Sequence, residues 1–129
     1  MGYGMDQTDG SFMIKNENKE KAYNLLMEYL KENSYDHAYK EGDMKDIYDA
    51  FRYYGFVFFE NEKGDIYSIC FESEKLTDQE VFFTAIAPVV EEGSFLEMRG
   101  EDNCLWRWVF RDGGCGTIYP KIIWDDDVE

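Results

Sequence analysis

The sequence is short of positive charge. Thirteen Lys and Arg stand against 28 Asp and Glu among 129 residues, for a formal net charge of −15. A nucleic-acid binder shows a basic footprint, so direct binding to DNA or RNA is not expected. Anionic membranes repel such a chain as well. A basic protein attracts it, as does the basic groove of a nucleic-acid enzyme, although acidity also simply keeps a protein soluble. Long apolar runs are missing, and no stretch approaches the length of a membrane span. The opening Met1-Gly2-Tyr3-Gly4-Met5-Asp6 lacks the basic and apolar regions of a signal peptide. Gln7 stands where a myristoylation signal carries Ser or Thr. A cytoplasmic protein with no membrane partner is expected.

Ligand clusters are missing too. The chain has no Cys-x-x-Cys, no pair of histidines and no calcium-loop pattern, so no metal or cofactor is expected. Cys70, Cys104 and Cys115 are odd in number and not closely spaced, which reads as three free, mostly buried thiols in a reducing compartment. His37 is the one histidine, beside Asp36 in a polar loop, with no nucleophile placed near it. Gly113, Gly114 and Gly116 close a hairpin and match no phosphate loop. No catalytic residue is assigned. The chain reads as a binding protein, with a small enzyme or small-ligand domain, its pocket between sheet and helices, as the alternative.

What is present is a core: 44% hydrophobic and 18% aromatic residues in a chain of single-domain length. Met1–Asp6 and Ser11–Lys15 read as short strands around an Asp9-Gly10 turn. Ala22, Leu25, Leu26, Tyr29 and Leu30 recur at the helical period, with Asn16 or Asn18 to cap them. Asn33–Gly42 reads as a loop. Asp43 can cap a second helix bearing Met44, Ile47, Tyr48 and Phe51, stopped at Gly55. Phe56–Glu60 and Ile66–Glu72 form a hairpin, and Phe56-Val57-Phe58-Phe59 is apolar on both faces, as a central strand would be. Thr77 and Glu80 read as a capping box for a helix that Pro88 bends or ends. The expected fold is α+β: one mainly antiparallel sheet with helices on one face, a ferredoxin-like core being one form of it. Residues 1–124 make a single domain and 125–129 an acidic tail.

A three-stranded meander from Gly93 to Trp124 closes the chain and holds all three tryptophans. Turns centred on Glu101-Asp102 and Asp112-Gly113 set its register. They put Glu97 opposite Trp106, Phe95 opposite Trp108 and Trp108 opposite Thr117. One face then collects Leu96, Met98, Leu105, Val109, Ile118, Ile122 and Trp124, with Arg107 as its one charge, and reads as core. The other collects Phe95, Glu97, Arg99, Trp106, Trp108, Phe110, Thr117, Tyr119 and Lys121. From it come the candidate contact residues Trp106, Trp108, Tyr119, Glu97, Arg99 and Lys121, since Trp, Tyr and Arg commonly anchor protein interfaces. A one-residue slip in either hairpin would exchange the faces.

The strings Gly93–Asp102, Trp106-Arg107-Trp108-Val109-Phe110, Tyr119-Pro120 and Trp124 resemble a group of small uncharacterised bacterial and phage proteins. Met1-Gly2-Tyr3, Phe12-Met13-Ile14-Lys15 and Glu74-Lys75-Leu76 are similar to the same group. The likeness spans most of the chain except roughly residues 35–54, and it implies no activity. Charge, aromatics and this resemblance together lead to one expectation. It is a small acidic module of inhibitor or immunity type that blocks the basic surface of a toxin, defence nuclease or other nucleic-acid enzyme. Self-association through the aromatic face is a further possibility.

Overall fold

The computed structural model describes residues 2–33 and 44–126. His37, Asp36, the expected cap Asp43 and the end of the acidic tail lie outside the described residues. The fold is α+β. Strands β1 (Met5–Ser11), β4 (Phe95–Gly100), β5 (Leu105–Arg111) and β6 (Gly114–Ile118) form one sheet in the order β1-β4-β5-β6. Strands β2 (Phe56–Glu60) and β3 (Ile66–Phe71) form a second, two-stranded sheet. All pairings are antiparallel. Helices α1 (Lys19–Glu32) and α2 (Ile47–Tyr53) follow β1, and α3 (Gln79–Ile86) follows β3.

The two sheets are joined at three points. Gly4 bridges Lys75 at one end and Ile14 bridges Ile66 at the other. Between them β1 and β3 part, and the Gln7 amide fills the gap. Its Nε2 donates to the Ile69 carbonyl (3.1 Å), and its Oε1 accepts from the Phe71 N–H (2.8 Å). A side-chain amide thus stands in for a missing peptide group, which keeps both buried backbone groups paired.

One continuous core unites these layers. Ala22, Leu26 and Leu30 of α1 are buried, as are Ile47, Ala50 and Phe51 of α2 and Phe82, Phe83 and Ile86 of α3. They meet Phe12, Phe56, Leu96 and Met98. Phe83 packs against both Trp108 and Phe110 at ring separations of 5.3 and 5.5 Å. At the start of the buried stripe of α1, the buried Lys19 has its Nζ 3.0 Å from Tyr48 Oη and pairs with Glu60, which also accepts from Tyr48 at 2.8 Å. This closed triangle ties α1, α2 and β2 together. Burial opposes the Lys19 charge, but the bonds to Glu60 and Tyr48 outweigh it and raise its pKa.

Several local expectations change. In place of two N-terminal strands there is one, Met5–Ser11: Asp9 and Gly10 pair within it and form no turn, residues 12–15 contribute only the Ile14 bridge, and the register shifts between Gln7 and Asp9. The α1 stripe is as the period implied, but its Asn18 cap makes no side-chain bond, and a 3-10 turn at Asn16–Asn18 leads in instead. Helix α2 is capped by Asp46, whose Oδ1 accepts from the Asp49 N–H at 2.9 Å. Gly55 ends it at φ +92°. Strand β2 is not central: it pairs only with β3 among the described residues, leaving Val57 and Phe59 exposed. The Thr77–Glu80 capping box does not form. Gln79 binds both the Thr77 backbone and its hydroxyl, while Glu80 turns toward Thr117. Pro88 does end the helix, which tightens into a 3-10 turn at Ala87–Val89.

Candidate functional site

The meander decides which side chains are available for contact. Its second turn is as read: Asp112 and Gly113 have φ of 53° and 77°, a two-residue I′ turn, and Trp108 lies opposite Thr117. Its first turn is not. Asn103 takes φ 67°, so the loop has three residues, Glu101 to Asn103, closed by the Gly100 N–H donating to the Cys104 carbonyl at 2.8 Å. The added loop residue slips the pairing by one. Glu97 faces Arg107, Met98 faces Trp106 and Leu96 faces Trp108.

The slip exchanges the faces of β5, because side chains alternate along a strand. Trp106 (7% exposed), Trp108 (2%) and Phe110 lie on the core side with Leu96 and Met98, not on the open face where the sequence placed them. Leu105 and Arg107, expected in the core, point the other way; Leu105 is half-buried and Arg107 exposed. Val109 is covered but stands apart from the main core cluster. The third strand ends at Ile118. Beyond it Ile122 and Trp124, also expected in the core, are 82% and 84% exposed. Of the cysteines, Cys70 and Cys115 are half-buried, but Cys104 is exposed rather than buried; all three are free.

The open face keeps part of the expected contact set. Glu97 and Arg99 lie on it, while Tyr119 (64% exposed) and the exposed Lys121 lie past the end of β6. Glu97 is its polar centre. Its Oε2 accepts from Thr8 Oγ1 and its Oε1 from Arg107 Nε, each at 2.8 Å. The Thr8 bond first, and then Arg107, hold the Glu97 carboxyl below its ordinary pKa. The Arg107 guanidinium also lies over the Phe95 ring, 4.9 Å from its centre. This locks a cation and a half-buried aromatic into one surface patch. A cleft of ≈ 170 Å³ opens beside it, between Glu97, Arg107, Leu105, Ile118, Tyr119 and the flank of Trp106.

A second cleft, of ≈ 420 Å³, opens at the other side of Tyr119. Tyr3, Leu76, Trp106, Trp108, Thr117 and Glu80 line it, with Cys104 at its rim. Trp106 and Trp108 are therefore buried and yet present part of their surface to a cavity. Tyr3 is the residue that the sequence reading missed. Its hydroxyl hydrogen-bonds Asp102, which raises its pKa to about 12, and its ring stands 6.2 Å from that of Trp106. It also lies directly over Gly100, where a Cβ would come within 1.6 Å of the phenol oxygen. Gly100 had signalled only a turn. Its need for glycine comes from a residue far away in sequence, and aromatic cover of a strand glycine is a known device for sheets. The N-terminal Tyr3, the Glu74-Lys75-Leu76 string and the meander strings meet here: the Leu76 N–H donates to the Tyr3 carbonyl at 2.7 Å.

Among the described residues, no group of three or more His, Cys, Asp and Glu is placed to share a metal ion. No described helix is long and apolar enough to cross a membrane. Compared with protein-family models, with curated proteins and with solved structures, the chain has no match.

Proposed function

We propose that this chain is a small acidic protein-binding module of inhibitor or immunity type. It acts in the cytoplasm and covers the basic surface of a toxin, a defence nuclease or another nucleic-acid enzyme. The observation that carries the reading is the end of the meander around Tyr119. There an exposed aromatic separates two clefts, and an open sheet face offers Phe95, Leu105 and Ile118 beside the Glu97–Arg107 pair. Aromatic anchors framed by polar groups are the usual composition of an interface centre. The face itself is close to charge-balanced, with Arg99, Arg107 and Arg111 against Asp6, Asp9 and Glu97, so it supplies anchoring. The net charge of −15 supplies the long-range attraction.

The test is native affinity capture with the wild-type protein and with a Phe95→Asp/Tyr119→Ala variant as baits. A basic nucleic-acid enzyme held by the wild type, released by salt and inhibited when bound is the expected result. The variant should bind it at least about 30-fold more weakly, the loss of one hot-spot anchor of about 2 kcal/mol. Equal capture by both baits, or a captured partner that is acidic, removes the reading.

A further inference from the structure

The cleft at Tyr3 has a composition that the open face lacks. Four aromatic side chains line it: Tyr3, Trp106, Trp108 and Tyr119. Trp106 and Trp108 meet edge to face at 5.8 Å, and Tyr3 is tilted 40° against Trp106. Their planes therefore differ, so the rings form a corner and not a flat stack. A carboxylate stands at the wall. Glu80, at the start of α3, is exposed, and its Oε1 accepts from Thr117 Oγ1 at 3.2 Å, which steadies it over the cleft. Asp102 borders the site through Tyr3. Among the described residues that line the cleft there is no Lys or Arg. The environment is negative enough that Asp102 and Glu101 help to raise the Tyr3 pKa, and Glu80 adds to the desolvation that pushes Cys115 up to about 12.

Aromatic faces attract cations through their quadrupoles, and desolvated cages do so most strongly. A planar guanidinium suits such a corner better than an ammonium, because it stacks on a ring while its N–H fork reaches a carboxylate. The volume, ≈ 420 Å³, lies at the low end for ligand sites and has room for one long side chain. We propose that this cleft is a receptor for an arginine side chain presented by a basic protein partner. The guanidinium packs against Trp106 and Tyr119 and pairs with Glu80. The source of the arginine rests on the function proposed above; the cation preference of the cleft does not.

The probe is Nα-acetyl-arginine amide, with the uncharged Nα-acetyl-citrulline amide as its neutral twin. Both are titrated into the full chain carrying Trp124→Phe, so that tryptophan fluorescence and the indole N–H resonances report only Trp106 and Trp108. Saturable shifts of both indoles at roughly millimolar arginine analogue are expected, the strength of a single cation–π and charge-paired contact. The citrulline analogue should bind at least about tenfold more weakly. Glu80→Gln and Tyr119→Leu alter exposed side chains, so the fold should persist, and each should weaken binding about fivefold or more. Equal binding of arginine and citrulline analogues overturns the proposal, as does wild-type binding by both variants or the absence of saturation at about 100 mM probe. Tetramethylammonium binding about tenfold tighter than the arginine analogue would overturn the protein source and assign the cleft to a free quaternary ammonium. Should capture yield no basic partner while the arginine analogue still binds, the functional proposal falls and the cleft assignment stands.

Discussion

Strand β5 presents two different surfaces from alternate residues. Trp106, Trp108 and Phe110 look into the core, where Phe83 packs on two of them. Leu105 and Arg107 look outward, where Arg107 binds Glu97 and covers Phe95. The inward row is held by dense packing and the outward row by a few polar contacts. What separates them is one residue in the preceding turn. Asn103 in the left-handed region adds a position to the loop and determines which row is which. Residue type alone does not separate the rows, because a tryptophan is a plausible interface anchor and a plausible core residue.

The largest effect should separate the rows directly. Trp108→Ala removes a buried indole packed on Phe83 and should cost about 3–5 kcal/mol of folding stability. Arg107→Ala removes an exposed ion pair and should cost about 1 kcal/mol or less. Denaturant unfolding of the two variants measures both, and similar losses would erase the distinction.

Next comes the end of the inward row, where Tyr3 closes over Gly100 and approaches Trp106. Gly100→Ala should cost about 1–3 kcal/mol, because its Cβ collides with the Tyr3 phenol and must displace it. In the double variant with Tyr3→Ala most of that collision vanishes. A mutant cycle should therefore show a coupling of about 0.5–3 kcal/mol, whereas strict additivity would deny the contact.

The outward row should be the pH-sensitive one. Glu97 has its pKa lowered by Thr8 and then Arg107. A carboxyl whose folded pKa is depressed contributes stability that is complete above its unfolded value. That stability is lost as pH falls from about 4 through the lower folded value. Glu60, lowered by Lys19 and then Tyr48, behaves alike where β2 meets α1. Unfolding midpoints followed from pH 7 to pH 3 should decline at the acid end, and less steeply in Glu97→Gln. An unchanged acid slope in that variant would show that the Glu97 contacts contribute nothing.

The smallest effect concerns the core side. Among the described residues the buried Tyr54 hydroxyl has no hydrogen-bond partner, and the Tyr54 ring stacks on Phe82 at 4.7 Å. Burial raises its pKa well above the ordinary tyrosine value. Tyr54→Phe removes the unsatisfied oxygen and should leave stability within about 1 kcal/mol of wild type or slightly higher. A clear loss would reveal a partner for that oxygen.

Much of the architecture was legible in the sequence. The helical period of α1, the glycine stop of α2, the β2–β3 turn and the Asp112-Gly113 turn are local signals, and each forms. The failures are long-range. Gly100-Glu101-Asp102-Asn103 supports a two- or a three-residue loop equally well, and only packing of Trp108 and Phe110 on Phe83 selects the second. Phe56–Phe59 is apolar on both faces yet lies at an edge, because a strand's neighbours are not written in its own residues. The cleft was invisible for the same reason. Tyr3, the stretch holding Leu76 and Glu80, Trp106 and Tyr119 belong to four separate segments, and nothing in their local spacing brings them together.

The face assignment of β5 is the central claim, and tryptophan quenching tests it most directly. In a Trp124→Phe variant, only Trp106 and Trp108 emit. At a concentration where the protein is monomeric, blue-shifted emission should resist iodide, an anion too hydrated to enter the core and repelled by the acidic cleft. If either indole instead emits and quenches like free tryptophan, the β4–β5 register is wrong and the aromatic row belongs to the surface.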